Sequence, residues 1–540
     1  MQWTGTEQAG HGAPAEGPGP APRASGPRKA VAVAAAVGVA AAIGAYLVFP
    51  VTPPVERNVS GDEEVAEAVL AELPRGSAVG VSVLLEEDGQ ARTAQLGTRG
   101  DGAPVGEGTR FETGSLQKVV TARLLAQMVE DGDVGLDTTL GEIWPDVDFA
   151  DRAVADTTLE SLATHTSGLP PLPIGSDPGM TRSILAANFF GADPYGRTGS
   201  PVQAAASMEN SGAAPDSPYV YSNFGFALLG EALGEVAGTD YRTAVTERVL
   251  EPLGMDATVV HVPEDGPEPP DGVALPFRAA SSPAVQWRVG RFAPAGVGTW
   301  STPGDLHRFL GAAQDTGDPV TELTHEPHET EGGVAEEGFD ERSGLAWVLW
   351  NVDGTEVAWH NGATSGVRTF MAHTDDGRSV VVMANSAEAP AERIGFALLG
   401  MGATPFADDG EGGVSAYWGA GIGVFLAVLV PLFTLVRIAR GRLLRVRLAR
   451  VNTVAELAVS VAAWAWAFVL GDWGTVPPAV WALGGGLIAA SLVTAGFRWR
   501  ETGGPGATPA RWYSWIMPAV NVVFAALVLW GTAIALGQMP

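Results

Sequence analysis

The 540-residue chain has no cysteine, and only two of its 32 basic residues are lysines, Lys29 and Lys118. Without a thiol there are no disulfides, no thiolate metal sites, no cysteine nucleophile and no lipid-modified cysteine anchor. Positive charge as a whole is scarce: 61 Asp and Glu outweigh the Lys and Arg, for a net charge of −29. Holding nucleic acid requires clustered cations to neutralise phosphates, so no nucleic-acid partner is expected. The shortage of lysine is the more telling one. A bias that turns nearly every cation into arginine should have done the same at position 118, unless guanidinium cannot serve there. Guanidinium keeps its proton at any ordinary pH, whereas an amine that is partly buried or set beside another cation gives its proton up. Lys118 is therefore a candidate for proton transfer.

Apolar length is abundant. Hydrophobic residues make up 46% of the chain and charged ones 17%, which places part of it in a membrane. Residues 1–29 are rich in Gly, Pro and Ala and read as a disordered cytoplasmic tail. The apolar run 30–48 follows Arg28 and Lys29 and reads as a membrane helix or uncleaved signal anchor. A cleaved signal peptide is the rival reading, but the segment before the run is long and no A-x-A site follows. Four more apolar stretches lie at about 418–436, 454–470, 479–497 and 513–536. The arginine-rich segment 437–450 and the trio Arg498, Arg500 and Arg511 place two loops, and with them the N-terminus, on the cytoplasmic side. About five alternating spans then leave residues 50–416 and the C-terminus outside the cell membrane. The expected organisation is a linker at 49–59, an extracytoplasmic domain at 60–402, a linker at 403–417 and a four-helix membrane region at 418–540. Trp418, Trp473, Trp499 and Trp512 read as interfacial anchors. Glu456 is the only acidic residue inside a proposed span, so the membrane region reads as a plain anchor with no ion path. Gly419, Gly421 and Gly423 read as helix-packing positions, not as a nucleotide loop.

The exported segment opens with a helical face, Val65, Val69, Leu70 and Leu73, and then a hairpin around Asp88-Gly89. Short strands recur near its end, with turns at Asp353-Gly354 and Asp376-Gly377, before a helix of roughly 391–399. Strands at both ends with helices beside them predict an α+β fold: one antiparallel sheet built from both termini, with a helical subdomain inserted. Residues 170–218 are rich in Pro, Gly and Ser and read as a long loop rimming the site.

Three motifs carry chemistry. In "TGSLQK", Ser115 and Lys118 stand one turn apart at a helix start, where free N–H groups and partial positive charge favour developing anions. With one lysine in the region, such a serine falls there by chance roughly once in twenty. In "YVYSNFG", Tyr221 and Asn223 precede an apolar helix; a nearby ammonium would lower the tyrosine pKa enough for a base, and Lys118 is the expected source. Tyr219 competes for that role. In "AWHNGATSG", His360, Asn361 and Gly362 end a strand, and the N–H of Ala363 pairs with that of Ser115 as a candidate oxyanion hole.

This ordered set, S-x-x-K, Y-x-N and H-x-G, resembles the penicillin-recognising serine hydrolases. Tyrosine in the second motif makes it similar to class C β-lactamases and their D,D-carboxypeptidase, D-aminopeptidase and esterase relatives. "LATHTSGLP" (162–170), "EPLGM" (251–255) and "PAGVGTWSTPGDLHRFL" (294–310) agree with that resemblance. It implies a β-lactamase/transpeptidase-like domain with Ser115 acylated and its proton shared by Lys118 and Tyr221. Asn223 would orient Lys118 and the substrate amide, and His360 would complete the network across the cleft. The substrates implied are small peptides ending in D-residues, amides, esters or β-lactams, with no cofactor and no metal. His360 stands where lysine is usual and Asn361 where Ser or Thr often binds a substrate carboxylate, so carboxylate recognition and efficient β-lactam hydrolysis are in question. His165 reads as packing beside the site. His325 and His328 form an H-x-x-H without an evident third zinc ligand. There is no G-x-S-x-G elbow, and the residues before Lys118 exclude a Walker A loop. The alternative function is a membrane-bound sensor, acylated by a cell-wall fragment or penicillin without efficient turnover.

Overall fold

A computed structural model describes residues 26–49, 52–214, 217–261, 269–287, 290–328, 340–352, 354–401, 420–441, 449–471, 473, 476–501 and 515–538. The strands in chain order are β1 (Val59–Gly61), β2 (Gly80–Glu87), β3 (Gln90–Gly97), β4 (Phe111–Glu112), β5 (Val259–Val260), β6 (Phe277–Ala279), β7 (Ser282–Pro283), β8 (Thr299–Ser301), β9 (Asp340–Ser343), β10 (Val348–Val352), β11 (Thr355–Ala363), β12 (Arg368–Thr374) and β13 (Ser379–Ala384). Eight of them form one antiparallel sheet in the order β1-β3-β2-β13-β12-β11-β10-β9. The N-terminal hairpin thus joins the C-terminal strands, with Val83 opposite Val382 at the seam. Asp88 and Gly89 both have positive φ (53° and 70°), so the hairpin closes through a two-residue turn that follows the strand twist. One face of the sheet (Val83, Val382, Trp359, Phe370) packs with Val65, Val69, Ile394 and Phe396 of helices Glu63–Glu72 and Ala391–Leu398. The other face (Met371, Val381, Met383) shares a core with helix Leu116–Glu130.

That helix is buried almost all round, with Leu116, Val119, Val120, Leu124, Leu125 and Met128 at 0% exposure. Burying each such side chain is worth about 1.5–3 kcal/mol, which lets the helix carry the buried Lys118 as well. Just before it, β4 pairs with β8, so the chain enters the helix through a tight turn at Thr113–Ser115.

Segment 170–218 departs from the expected loop. It contains helices Pro178–Phe190 and Pro201–Ala206. Each begins with a side-chain cap, Asp177 or Ser200, followed directly by proline, and the first stops at Gly191 in the left-handed conformation. Proline is favourable in a first turn, where its missing N–H would be unbonded anyway. The composition that suggests a loop is here a pair of helix starts.

Among the described residues, five helices are long and apolar enough to cross a membrane: 28–48, 420–439, 449–470, 478–498 and 516–537. The protein is a multi-pass membrane protein with the sheet domain outside the cytoplasm. Alternating crossings put Phe49, Val469 and Trp473 at outer helix ends and Trp530 in the outer half of the last span, and the sheet domain touches the helices there. Thr52 and Ser281 exchange two backbone-to-hydroxyl bonds (3.2 and 3.1 Å) just after the first span. Trp466 Nε1 donates to Phe189 O (2.5 Å), and a Cβ on Gly191 would lie 3.0 Å from Val469. Trp473 is 2% exposed, packs on Phe49 and donates its backbone N–H to Ser282 Oγ (2.9 Å). Its ring is enclosed by neighbouring span ends (Phe49, Phe468, Gly471) while its backbone N–H reaches the exported domain, so it is not a lipid-facing anchor. Trp499 is 36% exposed beneath the Arg450 guanidinium. Glu456 pairs with Arg437 of the preceding span (2.5 Å). A Cβ on Gly423 would come within 3.1 Å of Gly471 Cα, as a packing glycine should. Residues 1–25 of the tail, the linker 403–417, Trp418, Gly419, Arg511 and Trp512 lie outside the described residues.

Candidate active site

Ser115 stands at the N-terminal cap position of helix Leu116–Glu130, and its Oγ lies 3.0 Å from Lys118 Nζ, one turn on. The Tyr221 hydroxyl donates to the same Oγ at 2.6 Å. Lys118 Nζ also contacts Asn223 Oδ1 (2.7 Å) and the Ala295 carbonyl (3.2 Å) and sits 4.6 Å from the centre of the Tyr221 ring. Helix Asn223–Ala237, capped by the Ser222 hydroxyl on Gly225 N, brings the second motif to the first. Tyr219 is not part of this contact set; its ring packs against His165.

Lys118 is fully buried with no carboxylate beside it, and burial holds its pKa well below the 10.5 of an ordinary lysine. The expectation that this lysine would lower the Tyr221 pKa is corrected. Burial pushes the phenol upward, and its bond to Ser115 opposes that only in part. Tyr221 is 36% exposed and lines the cavity, with its hydroxyl bonded to Ser115. A low-dielectric site disfavours ammonium and phenolate alike.

His360 is 4% exposed, and its Nδ1 donates to the Asn361 carbonyl (2.6 Å), which leaves Nε2 as an acceptor. Burial is the main cause that lowers its pKa to about 4. Asn361 lines the cavity, and its side-chain amide donates to Glu392 (2.7 Å). Thr364 N bonds to Val367 O across the strand pair, and Ala363 stands opposite Arg368 in that register. Bonded pairs alternate in an antiparallel ladder, so the Ala363 N–H points away from β12, toward the Ser115 turn. Backbone closeness there depends on glycine. A Cβ on Gly114 (φ 53°) would sit 2.7 Å from Ala363 N; one on Gly362 would sit 3.1 Å, and one on Gly296 3.0 Å, from Ser115 N. Ser115, Tyr221, Asn223, Trp287, Asn361 and Ala363 line a cavity of about 270 Å³ together with these turns.

Several contributors lie outside the motifs. Tyr195 OH accepts from Asn223 Nδ2 (3.0 Å), which turns Asn223 Oδ1 toward Lys118. Buried Glu112 accepts from Thr364 Oγ1 (2.7 Å) and Trp287 N (3.0 Å), tying the end of β11 to the cavity wall. His165, with φ 62°, accepts from Ser222 N (3.1 Å) and stacks 4.5 Å from Tyr221, so it packs beside the site. His325 does not pair with His328: its Nε2 meets His373 Nε2 (3.0 Å), while His328 faces Glu160 (3.6 Å).

A protein-family model described as Beta-lactamase matches residues 62–399, more than half of the chain. The chain belongs to the beta-lactamase family. Its exported domain is thereby a member of the serine-hydrolase superfamily of β-lactamases and penicillin-binding proteins. Penicillin-binding protein 4 of Amycolatopsis lactamdurans is 27% identical over 301 residues, 51% of this chain and 71% of the relative. Unguisins hydrolase ungD' of Aspergillus campestris is 25% identical and covers 60% of this chain and 62% of its own length. The D-alanyl-D-alanine-carboxypeptidase/endopeptidase AmpH of Escherichia coli K12 is 28% identical over 36% of this chain, and only 46% of it is spanned. Among solved structures, a class C beta-lactamase superposes at TM-score 0.50 and 18% identity, covering 62% of this chain and 96% of that one. An octameric penicillin-binding protein homologue from Pyrococcus abyssi gives 0.52 at 21% identity, covering 66% and 80%. These superpositions bear on the fold of the beta-lactamase domain, the part outside the membrane.

Proposed function

We propose that this beta-lactamase family member is a membrane-bound acyl-transfer hydrolase with Ser115 as nucleophile and unprotonated Lys118 as its base. The observation that carries the reading is the bonding pattern at Lys118 Nζ: a neutral amine has two N–H donors and one lone pair, and it has three neighbours. Asn223 Oδ1 and Ala295 O can only accept, so the lone pair is left for the Ser115 proton. Ser115 Oγ attacks the substrate carbonyl carbon, its proton passes to Lys118, and the carbonyl electron pair moves onto oxygen beside the N–H groups of Ser115 and Ala363. Collapse breaks the bond to the leaving group, which takes the Tyr221 proton, and Lys118 restores that proton. Water repeats the sequence on the acyl-enzyme.

The substrates proposed are small D-amino-acid peptides, amides or esters at the outer membrane surface, by analogy with relatives named for penicillin binding and D-alanyl-D-alanine cleavage. Within that class, substrates lacking a free carboxylate suit this site better, because the Asn361 amide is engaged by Glu392 and an acidic group stands at that end of the cavity. The test is to label membranes with fluorescent penicillin and with a fluorophosphonate, in wild type and Ser115→Ala. Loss of label in the variant is expected; equal labelling of both proteins removes Ser115 from its role. Strong labelling by the fluorophosphonate and weak labelling by penicillin supports the carboxylate-poor substrate class.

A further inference from the structure

The contact between the beta-lactamase domain and the last membrane span is not sealed. Helix Pro178–Phe190 and span Ile516–Gln538 enclose a groove of about 410 Å³, within the size range of small-molecule sites. Leu185, Ala186 and Phe189 form one wall, and Trp530, Gly531 and Ile534 form the other. Leu185, Phe189 and Trp530 are 53%, 55% and 63% exposed. Three large apolar side chains gathered on a water-facing surface would be a liability. Here one wall is itself a bilayer-crossing helix near its outer end, so the surroundings of the groove are hydrocarbon and headgroups.

Charge at the rim narrows the occupant. Nine arginines of the exported domain hold a carboxylate: Arg92, Arg99, Arg123, Arg152, Arg248, Arg308, Arg342, Arg378 and Arg393. Arg182 and Arg197 line the groove, and neither holds an ion pair among the described residues. Arg57, Arg75 and Arg110 likewise hold no carboxylate among the described residues, but Arg182 and Arg197 are the two that line this groove. Asp193 also lines the groove, with its Oδ1 accepting from Tyr195 N (2.8 Å). Arginine is well suited to phosphate, which it meets with paired N–H donors.

We propose that this groove is a lipid site: it takes one acyl chain of an anionic phospholipid from the outer leaflet, with the lipid phosphate at Arg182 and Arg197. Apolar walls then meet the chain, the two guanidiniums meet the headgroup, and the Pro178–Phe190 helix is held at the membrane surface. Asp193 of the groove accepts from the N–H of Tyr195, whose hydroxyl in turn holds Asn223, so one residue links the groove wall to the candidate active site.

The experiment places the full chain in nanodiscs containing phosphatidylglycerol with a diazirine on its acyl chain, or the matching phosphatidylcholine. After irradiation, labelled peptides are mapped by mass spectrometry. Label on 185–190 and 530–534, stronger with phosphatidylglycerol, is expected. Filling the groove by Ala186→Trp should abolish that label while leaving label on the exposed Val39 and Leu47 of the first span unchanged. The surface pair Arg182→Gln and Arg197→Gln, which leaves the apolar walls intact, should bring the two lipids to parity. Groove label that survives Ala186→Trp, or a wild type that labels equally with both lipids, overturns the proposal.

Discussion

Glycine does opposite work in the two halves of this molecule. In the beta-lactamase domain, Gly114, Gly296 and Gly362 bring backbone N–H groups close to one another around Ser115, so missing side chains create a place for a ligand atom. In the membrane bundle the same absence is filled at once. A Cβ on Gly484 would overlap the Ala427 carbonyl and come 2.8 Å from Trp464, and Gly486 meets Gly38 of the first span in the same way. Lipid supplies no hydrophobic drive for helices to associate, so close van der Waals approach has to hold the bundle together. One half spends its small residues on a cavity, the other on contact.

The comparison breaks most sharply at the reacting atoms. Ser115→Ala should abolish acylation and leave the bundle unaltered. Lys118→Arg should cost about 10²–10⁴-fold in acylation rate, because guanidinium cannot accept the serine proton. In wild type, the same logic makes acylation rise with pH to an inflection well below 10.5. Stopped-flow measurement with a chromogenic ester reads both, and an arginine variant of full activity would refute the base assignment.

Matched glycine substitutions come next. Gly114→Ala should lower kcat by about 10²–10³-fold with KM little changed, since it displaces the Ala363 N–H from the oxyanion position. Gly484→Ala should instead destabilise the protein by about 1–3 kcal/mol through overpacking, with kcat per folded molecule preserved. Thermal unfolding in detergent, run alongside kinetics, separates the two. If both variants lose stability and activity in proportion, the two glycine roles are not distinct.

Acid should act on the domain before the bundle. His360, at about 4, and His373, at about 3, are held neutral chiefly by burial, and His165 and His325 are lowered for the same reason. The unfolded chain takes up protons near pH 6.5 that the folded one refuses, so stability rises with pH across this window. It is fully present above about 6.5 and is lost progressively toward about 4. Tryptophan fluorescence at the midpoint, followed against pH, checks the sign. The smallest effect belongs to Glu392→Gln. Removing that charge beside Asn361 should raise penicillin labelling relative to fluorophosphonate labelling by a few-fold, and an unchanged ratio would discount Glu392 as a specificity group.

Much of the fold was legible because its signals are local. The hairpin at Asp88-Gly89, the alternating strands 348–384 and the apolar spans each declare themselves within a short window. The lone lysine of the exported segment pointed to Ser115, and motif order supplied Tyr221 and Asn223. Helix Pro178–Phe190 was hidden because its Asp-Pro start reads as a turn when composition alone is weighed. Tyr195 carries no motif; it matters through Asn223, 28 residues away. Trp473 read as a lipid anchor until the neighbouring span ends that enclose its ring were in place.

The sequence alone determined which groups can react and where the membrane begins, since both follow from residue type and short-range spacing. Tertiary structure decided their charge states and partners. Enclosing an amine and a phenol together disfavours the charged form of each; no reading of spacing contains that, because desolvation depends on what surrounds a group in space. The same reason applies at Glu392, which faces Asn361 across 31 residues of chain and alters the cavity only once the sheet and its covering helix have met.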